Sequence, residues 1–426
     1  MSVDTQPRRA AAAVEKPIEW KMPITYGVLT LVALVVYVFA APTGEQTTFQ
    51  LARGEAWITI PNFDLPARPT GIVITLVLAG LAALAAWNAS RRQKTGWWLP
   101  ATFGFLFVFG FLVYAGAGAS GVIPLTTLLA GGLALSVPLI FGAMCGLVGE
   151  RSGIVNIAIE GQLLLGAFFA AVAASLASNA YVGLLAAPIA GALVGALLVW
   201  FAVSYWVDQI IIGVVLNVLV VGLTNFLFST VLTQNSETWN ARQRLPNLPI
   251  PGLSEIPVLG PVLFDQTILV YIMYAVVILL NIFVFRSRWG LRMRAVGEHP
   301  KAADTVGIKV NRTRVVNTIF AGAIAGLGGA FFTVGTGLAF GKEMSAGQGY
   351  IALAAMILGK WNPYGALGAA LLFGFSRNLG NLLSSIGTPV PSEFLLMLPY
   401  VVTIFAVAGF VGRVRAPAAE NIPYKK

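Results

Sequence analysis

The chain has 426 residues, of which 57% are hydrophobic and 10% are charged, with a mean hydropathy of +0.81. Soluble domains carry about a quarter charged residues, so this composition excludes an ordinary soluble fold and calls for lipid. The net charge of +10 is assigned to membrane-flanking loops rather than to nucleic acid, because positive charge collects in loops on the cytoplasmic side.

Residues 1–22 read as a polar tail. Residues 23–120 hold three apolar spans, Pro23–Ala41, Gly71–Asn88 and Trp97–Gly116, the last opening on an interfacial Trp97-Trp98 pair. The runs are continuous and rich in Ala, Leu, Val and Gly. A helix of roughly 20 residues crosses the hydrocarbon core, whereas barrel strands alternate in polarity, so the predicted fold is an all-α polytopic membrane protein. From residue 121 to 415 further spans follow: Pro124–Val148, Ile154–Ala177, Gly183–Trp206, Ile210–Leu232, Thr267–Phe285, Val315–Gly335, Gly349–Gly359, Pro363–Ser384 and Glu393–Val411. Some 10–12 full or partial crossings result, and residues 416–426 form a second tail. With both termini inside, the clusters Arg8/Arg9, Arg91/Arg92/Lys94, Arg286 to Arg314 and Arg413/Arg415 fall on one side.

Two crossings break the pattern. "GERSGIVNIAIEG" (Gly149–Gly161) places charges among apolar runs with three glycines, and "GKEMSAGQGYIALAAMILGKWNP" (Gly341–Pro363) has too short an apolar stretch for a full span. Interrupted segments near the starts of two similar blocks suggest an internal repeat with irregular backbone at a solute path.

These segments supply the candidate path residues. Glu150 and Arg151 read either as a gate or as a turn exposed to water. Asn156, Glu160 and Gln162 follow, and Glu160 lies toward mid-membrane, where a carboxylate needs the protein interior or a wet cavity. Asn217, Thr224 and Asn225 lie in an aliphatic span, where amides by default cross-link helices; hydrogen bonding to a solute is the alternative. Arg377, Asn378 and Asn381 share a later span, and the arginine there needs a partner or a cavity. "GALVG" (Gly191–Gly195) and "AGAIAGLGGA" (Ala321–Ala330) are small-residue runs that permit close helix packing. They are not nucleotide fingerprints, and no G-x-x-x-x-G-K-[ST] occurs. The single cysteine, Cys145, excludes an internal disulfide and a cysteine metal cluster, and the lone His299 has no visible catalytic partner.

Arg286 to Arg314 holds eight of the 27 Lys/Arg. A bare connector needs only two to eight residues. Within it, "PKAADTVGI" reads as a short helix started by Pro300 and stopped by Gly307, with Ala302, Ala303 and Val306 as a small apolar face. Such a helix suits a groove on a cytosolic partner.

"GERSGIVNIAIEG", "RMRAVGEHPKAADTVGIKV", "GQGYIALAAMILGKWNPYGALGAALLFGF" and "LPYVVTIFAVAGFVGRVRAPAAENIPYKK" resemble permease subunits of bacterial ABC importers. The nearest group is the nucleoside-type permeases, within a wider family that also carries simple sugars and branched-chain amino acids. The likeness runs from about Pro124 to the C-terminus and leaves the first three spans as an extension. It implies a vitamin-B12-permease-like helical fold in the inner membrane. It also implies two permease chains, commonly different paralogues, two ATPase subunits and a substrate-binding lipoprotein. ATP and magnesium would sit on the ATPase and no cofactor on this chain, which is a transport subunit and not an enzyme. By position, the resemblance makes Arg294, Gly297, Glu298, Pro300, Ala302, Ala303, Asp304 and Gly307 the ATPase-coupling contact. The polar residues of Gly149–Gly161 would line or gate the path.

Overall fold

The computed structural model describes residues 20–51, 60–93, 95–96, 98–119, 121–386, 394, 397 and 415–425. The span expected at Glu393–Val411, the clusters Arg8/Arg9 and Arg413, and most of the first tail lie outside the described residues. The chain divides into two compact units, one drawn from Met1–Thr48 and Asp64–Ser120, the other from Phe49–Phe63 and Gly121–Lys426.

The first unit packs three helices: α1 (Lys21–Ala33, continuing as a π-turn Leu34–Phe39), α2 (Ala67–Ser90) and α3 (Trp98–Ala115). Aromatic side chains organise it. Tyr26 stacks on Phe103 at 4.4 Å, and the Tyr37 hydroxyl donates to the Phe107 carbonyl at 2.7 Å. That bond satisfies a polar group that would otherwise be costly in hydrocarbon.

The second unit begins with a parallel bridge pairing Phe49 with Ile123. It continues through α4 (Leu125–Arg151), α5 (Ile159–Leu176), α6 (Ala180–Ser204), α7 (Gln209–Leu227, extended by a π-turn to Leu232) and the short α8 (Ser236–Trp239). Then come α9 (Ile268–Arg286), α10 (Arg288–Glu298), α11 (Pro300–Thr305), α12 (Val310–Ala330), α13 (Gln348–Leu358) and α14 (Pro363–Ser385). Among the described residues, nine helices are long and apolar enough to cross a membrane, and the predicted all-α membrane architecture is observed.

α4, α5 and α12 are the most enclosed of these helices, while α7 and α9 turn Ile, Val and Leu outward. The two small-residue runs singled out in the sequence meet one another. A Cβ added at Gly191 would strike the Gly322 carbonyl, and one added at Gly322 would strike the Gly191 carbonyl. In lipid, where apolar burial gains nothing over lipid tails, this close backbone approach supplies the packing that holds α6 to α12.

Both irregular segments exist as breaks. α4 ends at Arg151 and α5 starts at Ile159, with Gly153 at φ +89° between them; residues 336–347 separate the π-turn ending α12 at Gly335 from α13. α13 has only 11 residues. That length rises about 16 Å, roughly half the hydrocarbon thickness. Backbone of this kind survives at membrane depth only where the protein itself supplies its hydrogen bonds.

α10 was not anticipated from the sequence. Its cap is local: Ser287 Oγ accepts from Gly290 N at 3.1 Å, satisfying one of the free amides at the helix start. α11 does start at Pro300, and Gly307 beyond it has φ +84°, but the predicted apolar face is corrected. Ala302 and Val306 are exposed, whereas Ala303 turns inward and packs with Val296 and Val310. The two inner residues belong to α10 and α12, which the helix must rest on, so one of its three apolar side chains is used there.

Candidate functional site: two joints along α13

The first joint surrounds Glu160 in the first turn of α5. Its Oε1 accepts from Ser345 Oγ at 2.6 Å and Gly347 N at 2.8 Å, and its Oε2 accepts from Gly349 N at 2.6 Å. Gly347 caps α13 in the left-handed region at φ +78°, which costs glycine nothing. A Cβ on Gly349 would strike the Glu160 backbone. The carboxyl therefore satisfies the amides that open α13, a helix start with free N–H groups that favours negative charge.

α7 clamps the same place. Asn217 Nδ2 donates to the Ile157 carbonyl at 2.9 Å and to Tyr350 Oη at 3.1 Å, while its Oδ1 accepts from Gly161 N at 2.8 Å. Nearby, Gln209 Oε1 accepts from Val155 N at 2.7 Å. The break between α4 and α5 thus has its backbone amides paired by side chains of α7. Further along α7, Thr224 bonds back to the Val220 carbonyl, and Asn225 Nδ2 donates to Glu343 Oε1 at 3.2 Å.

Asn156 and Gln162 are fully enclosed. Asn156 Nδ2 reaches Gln162 Oε1 and Cys145 Sγ, each at 3.1 Å, and Cys145 Sγ donates to Gln162 Oε1 at 3.2 Å. In this conformation they face the protein interior and line no opening. Asn378 Nδ2 donates to the Leu128 carbonyl at 2.8 Å, tying α14 to α4; Asn381 is exposed and Arg377 is half-buried.

The second joint lies at the other end of α13. Trp361 Nε1 donates to Glu150 Oε2 at 2.6 Å, and Arg151 Nη2 donates to the Trp361 carbonyl at 3.0 Å. Lys360 and Trp361 both have positive φ, +57° and +51°, which is unfavourable for such side chains and bends the chain sharply after α13. Glu150 is only 2% exposed, and its carboxyl lies against that of Glu420. Burial pushes the Glu420 carboxyl above its usual range, with its bond to Glu150 pulling the other way.

Glu420 arrives from the segment 416–426, read in the sequence as a tail and described here as far as Lys425. Ala419 N donates to the Gly297 carbonyl at 2.8 Å, and Arg314 donates to the carbonyls of Ile422 at 2.8 Å and Ala419 at 3.3 Å. Ala418 N reaches Glu298 Oε2 at 3.4 Å, and Asn421 Nδ2 donates to Asp208 Oδ2 at 3.1 Å. Gly297 meets Arg151: a Cβ there would strike the Arg151 carbonyl. Arg151 and Arg294 both sit over the Phe285 ring, at 5.9 and 5.5 Å. One cluster therefore unites the end of α4, α10, the foot of α12 and the C-terminal segment.

Of the residues expected in the α10–α11 contact, Arg294, Gly297 and Glu298 take part in this cluster, and Ala303 packs beneath α11. Ala302 and Gly307 are exposed. Sequence reasoning missed Trp361, Arg314, Ser345, Gly349, Tyr350, Glu420 and Asn421. Only Arg314 carried a local signal, a cation inside the first turns of a spanning helix.

The family description "branched-chain amino acid transport system / permease component" matches residues 128–407. The chain belongs to this permease family. It is 40% identical over 304 residues to the guanosine ABC transporter permease protein NupQ of Bacillus subtilis, covering 69% of this chain and 95% of that protein. The same identity and coverage hold for the nucleoside ABC transporter permease protein NupC of Lactococcus lactis. The putative glucose ABC transporter permease protein TsgC13 of Haloferax volcanii is 32% identical over 238 residues, 55% of this chain and 71% of that protein. No solved structure matches. The chain is thus a transport component embedded in a membrane, and α1 to α3 precede the matched region.

Proposed function

We propose that this permease passes nucleosides inward through an ATP-driven importer, delivered by a substrate-binding lipoprotein. In this reading a second permease chain, a different paralogue, completes the path, and two ATPase subunits hold the ATP and magnesium. The observation that carries the substrate class is the 40% identity to a guanosine and a nucleoside permease over 95% of each. The path follows the polar face of α7, where Asn217 and Asn225 stand beside Tyr350 and Glu343. Amide and hydroxyl groups with an aromatic ring suit a neutral, polar solute bearing a base.

Energy enters at α11. The Lys/Arg-rich end faces the cytoplasm, and the outward Ala302 and Val306 seat α11 in the ATPase. Closing of the ATPase dimer moves α11, and Ala303 and Gly297 transmit that movement to the Glu150–Trp361 cluster. From there α13 carries it to Glu160 at mid-depth.

Uptake of radiolabelled guanosine by cells expressing the full importer tests both claims. Val306→Asp is expected to abolish uptake and ATPase association while the permease still inserts and folds. Retained uptake with a retained ATPase would remove the coupling role of α11. Stimulation of the complex's ATP hydrolysis by glucose, with no response to guanosine, would overturn the substrate class.

A further inference from the structure

The segment 416–425 has no helix or strand of its own, only a turn at 418–421. Backbone without a ladder must find its hydrogen-bond partners elsewhere, and here the surrounding helices supply them.

Tyr424 packs with Val296, Ala303 and Val310, and its hydroxyl faces the Asp304 carboxylate of α11. Arg314 of α12 is 1% exposed and donates to two carbonyls of the segment, those of Ala419 and Ile422. A buried guanidinium stripped of its acceptors is strongly unfavourable, so these bonds hold the segment in place. Asn421 then meets the start of α7. Its Nδ2 donates to Asp208 Oδ2 at 3.1 Å, and its Oδ1 accepts from Gln209 N at 3.2 Å. Asp208 Oδ1 caps that helix, accepting from Ile210 N at 2.9 Å and Ile211 N at 3.1 Å. One carboxylate therefore starts α7 with one oxygen and holds the segment with the other. Lys425 Nζ adds a contact 4.5 Å from the centre of the Trp206 ring, just before α7. Asn421 has φ +57°, a region that Asn and Asp enter more readily than most residues.

The helix packing gives these contacts their consequence. α7 packs on α5 and α6, and no comparable packing joins it to α10, α11 or α12 among the described residues. α11 rests on α10 and α12. Helix packing thus connects α11 to α7 only through intervening helices, whereas the segment bridges them directly.

We propose that the segment 416–425 ties α11 to the start of α7, so that the two move as one body when the ATPase moves α11. Asn421 and Tyr424 are positioning residues of this tie. It rests on the assignment of α11 to ATPase docking and of α7 to the solute path. It gives the path a second input besides α13, since α7 carries Asn217, which holds the break beside Glu160.

The full importer reconstituted in vesicles tests it by the ratio of guanosine taken up to ATP hydrolysed. Asn421→Asp sets two carboxylates face to face and should lower that ratio at least about five-fold, the factor one hydrogen bond contributes. The exchange D208N/N421D restores an amide–carboxylate pair and a capping side chain, and should restore the ratio. An unchanged ratio in Asn421→Asp, or no recovery in the exchange, would overturn the tie. So would uptake and hydrolysis falling together, which marks a merely structural segment. Loss of the ATPase subunits would also overturn it, by placing the segment in the docking surface.

A second measurement needs no solute. The single cysteine, Cys145, is buried, so cysteines placed at the exposed Leu291 of α10 and Ile211 of α7 take spin labels selectively. Their separation should be the same with and without bound ATP, and should change on ATP binding when Asn421→Asp is added. A separation that changes with residue 421 unaltered would overturn the tie. An importer that carries a solute other than guanosine would fail the transport assignment and leave this measurement decisive.

Discussion

Glu150 and Glu160 are ten residues apart in the sequence, both buried, and both in contact with the two ends of α13. Their surroundings are opposite. Glu160 receives three donors, two of them backbone amides of a glycine-rich turn that only this geometry can present. Glu150 receives one indole N–H and faces a second carboxyl from a distant segment. A carboxyl with several short, fixed donors makes a rigid joint, whereas one with a single donor and a second acid beside it is held less firmly. We read the Glu160 end of α13 as the fixed pivot and the Glu150 end as the releasable one, next to the place where movement is proposed to enter.

Breaking the pivot gives the largest expected effect. Glu160→Ala orphans Ser345 Oγ and the amides of Gly347 and Gly349, each at about 1–3 kcal/mol, so a loss of at least about 3 kcal/mol is expected. Thermal unfolding of the purified protein in detergent measures it, and a melting temperature equal to that of the unaltered chain would remove the pivot assignment. Trp361→Phe is milder. It keeps an aromatic ring over the cluster but removes the N–H donated to Glu150, at an expected cost of about 1–3 kcal/mol by the same measurement. A larger loss than that from Glu160→Ala would reverse the ranking of the two joints.

The smallest effect concerns pH. Burial raises the Glu420 carboxyl above its usual range, so the folded segment binds its proton more tightly than the free chain does. Its contribution is complete below the ordinary carboxyl range and is lost as pH rises through the raised value. Because Glu420 is only partly buried, solvent screens much of this. Hydrogen exchange at Ala419 N, corrected for its intrinsic pH dependence, should therefore show protection falling as pH rises, and Glu420→Gln should flatten that slope. An unchanged slope in Glu420→Gln would show that the proton is held elsewhere.

The helical membrane architecture was legible in the sequence, because spanning helices must be long and apolar and their residues advertise it one by one. The ends of α4, α5, α7, α9 and α14 fall within a few residues of the runs that predicted them. Gly191 and Gly322 were legible as packing positions for the same reason: a small residue in a span has few other uses. α10 was not legible, since a basic, half-exposed helix looks like any charged loop.

The candidate site divides along the same line. Its unusual residues, Glu150, Arg151, Asn156 and Glu160, stand out in the sequence because a polar group in an apolar run is costly anywhere. Their partners do not stand out. Ser345 and Gly349 are common residues about 185 positions from Glu160, and Glu420 reaches Glu150 from a segment that the sequence presents only as a tail. The sequence by itself determined that these acids needed partners, that α13 was too short to cross alone, and that Pro300 would start a helix. Only the tertiary structure decided which carboxyl met three fixed donors and which met a second acid, and that Ala303 would face inward. Those outcomes depend on which distant backbone amides arrive beside each side chain, and local propensity carries no record of that.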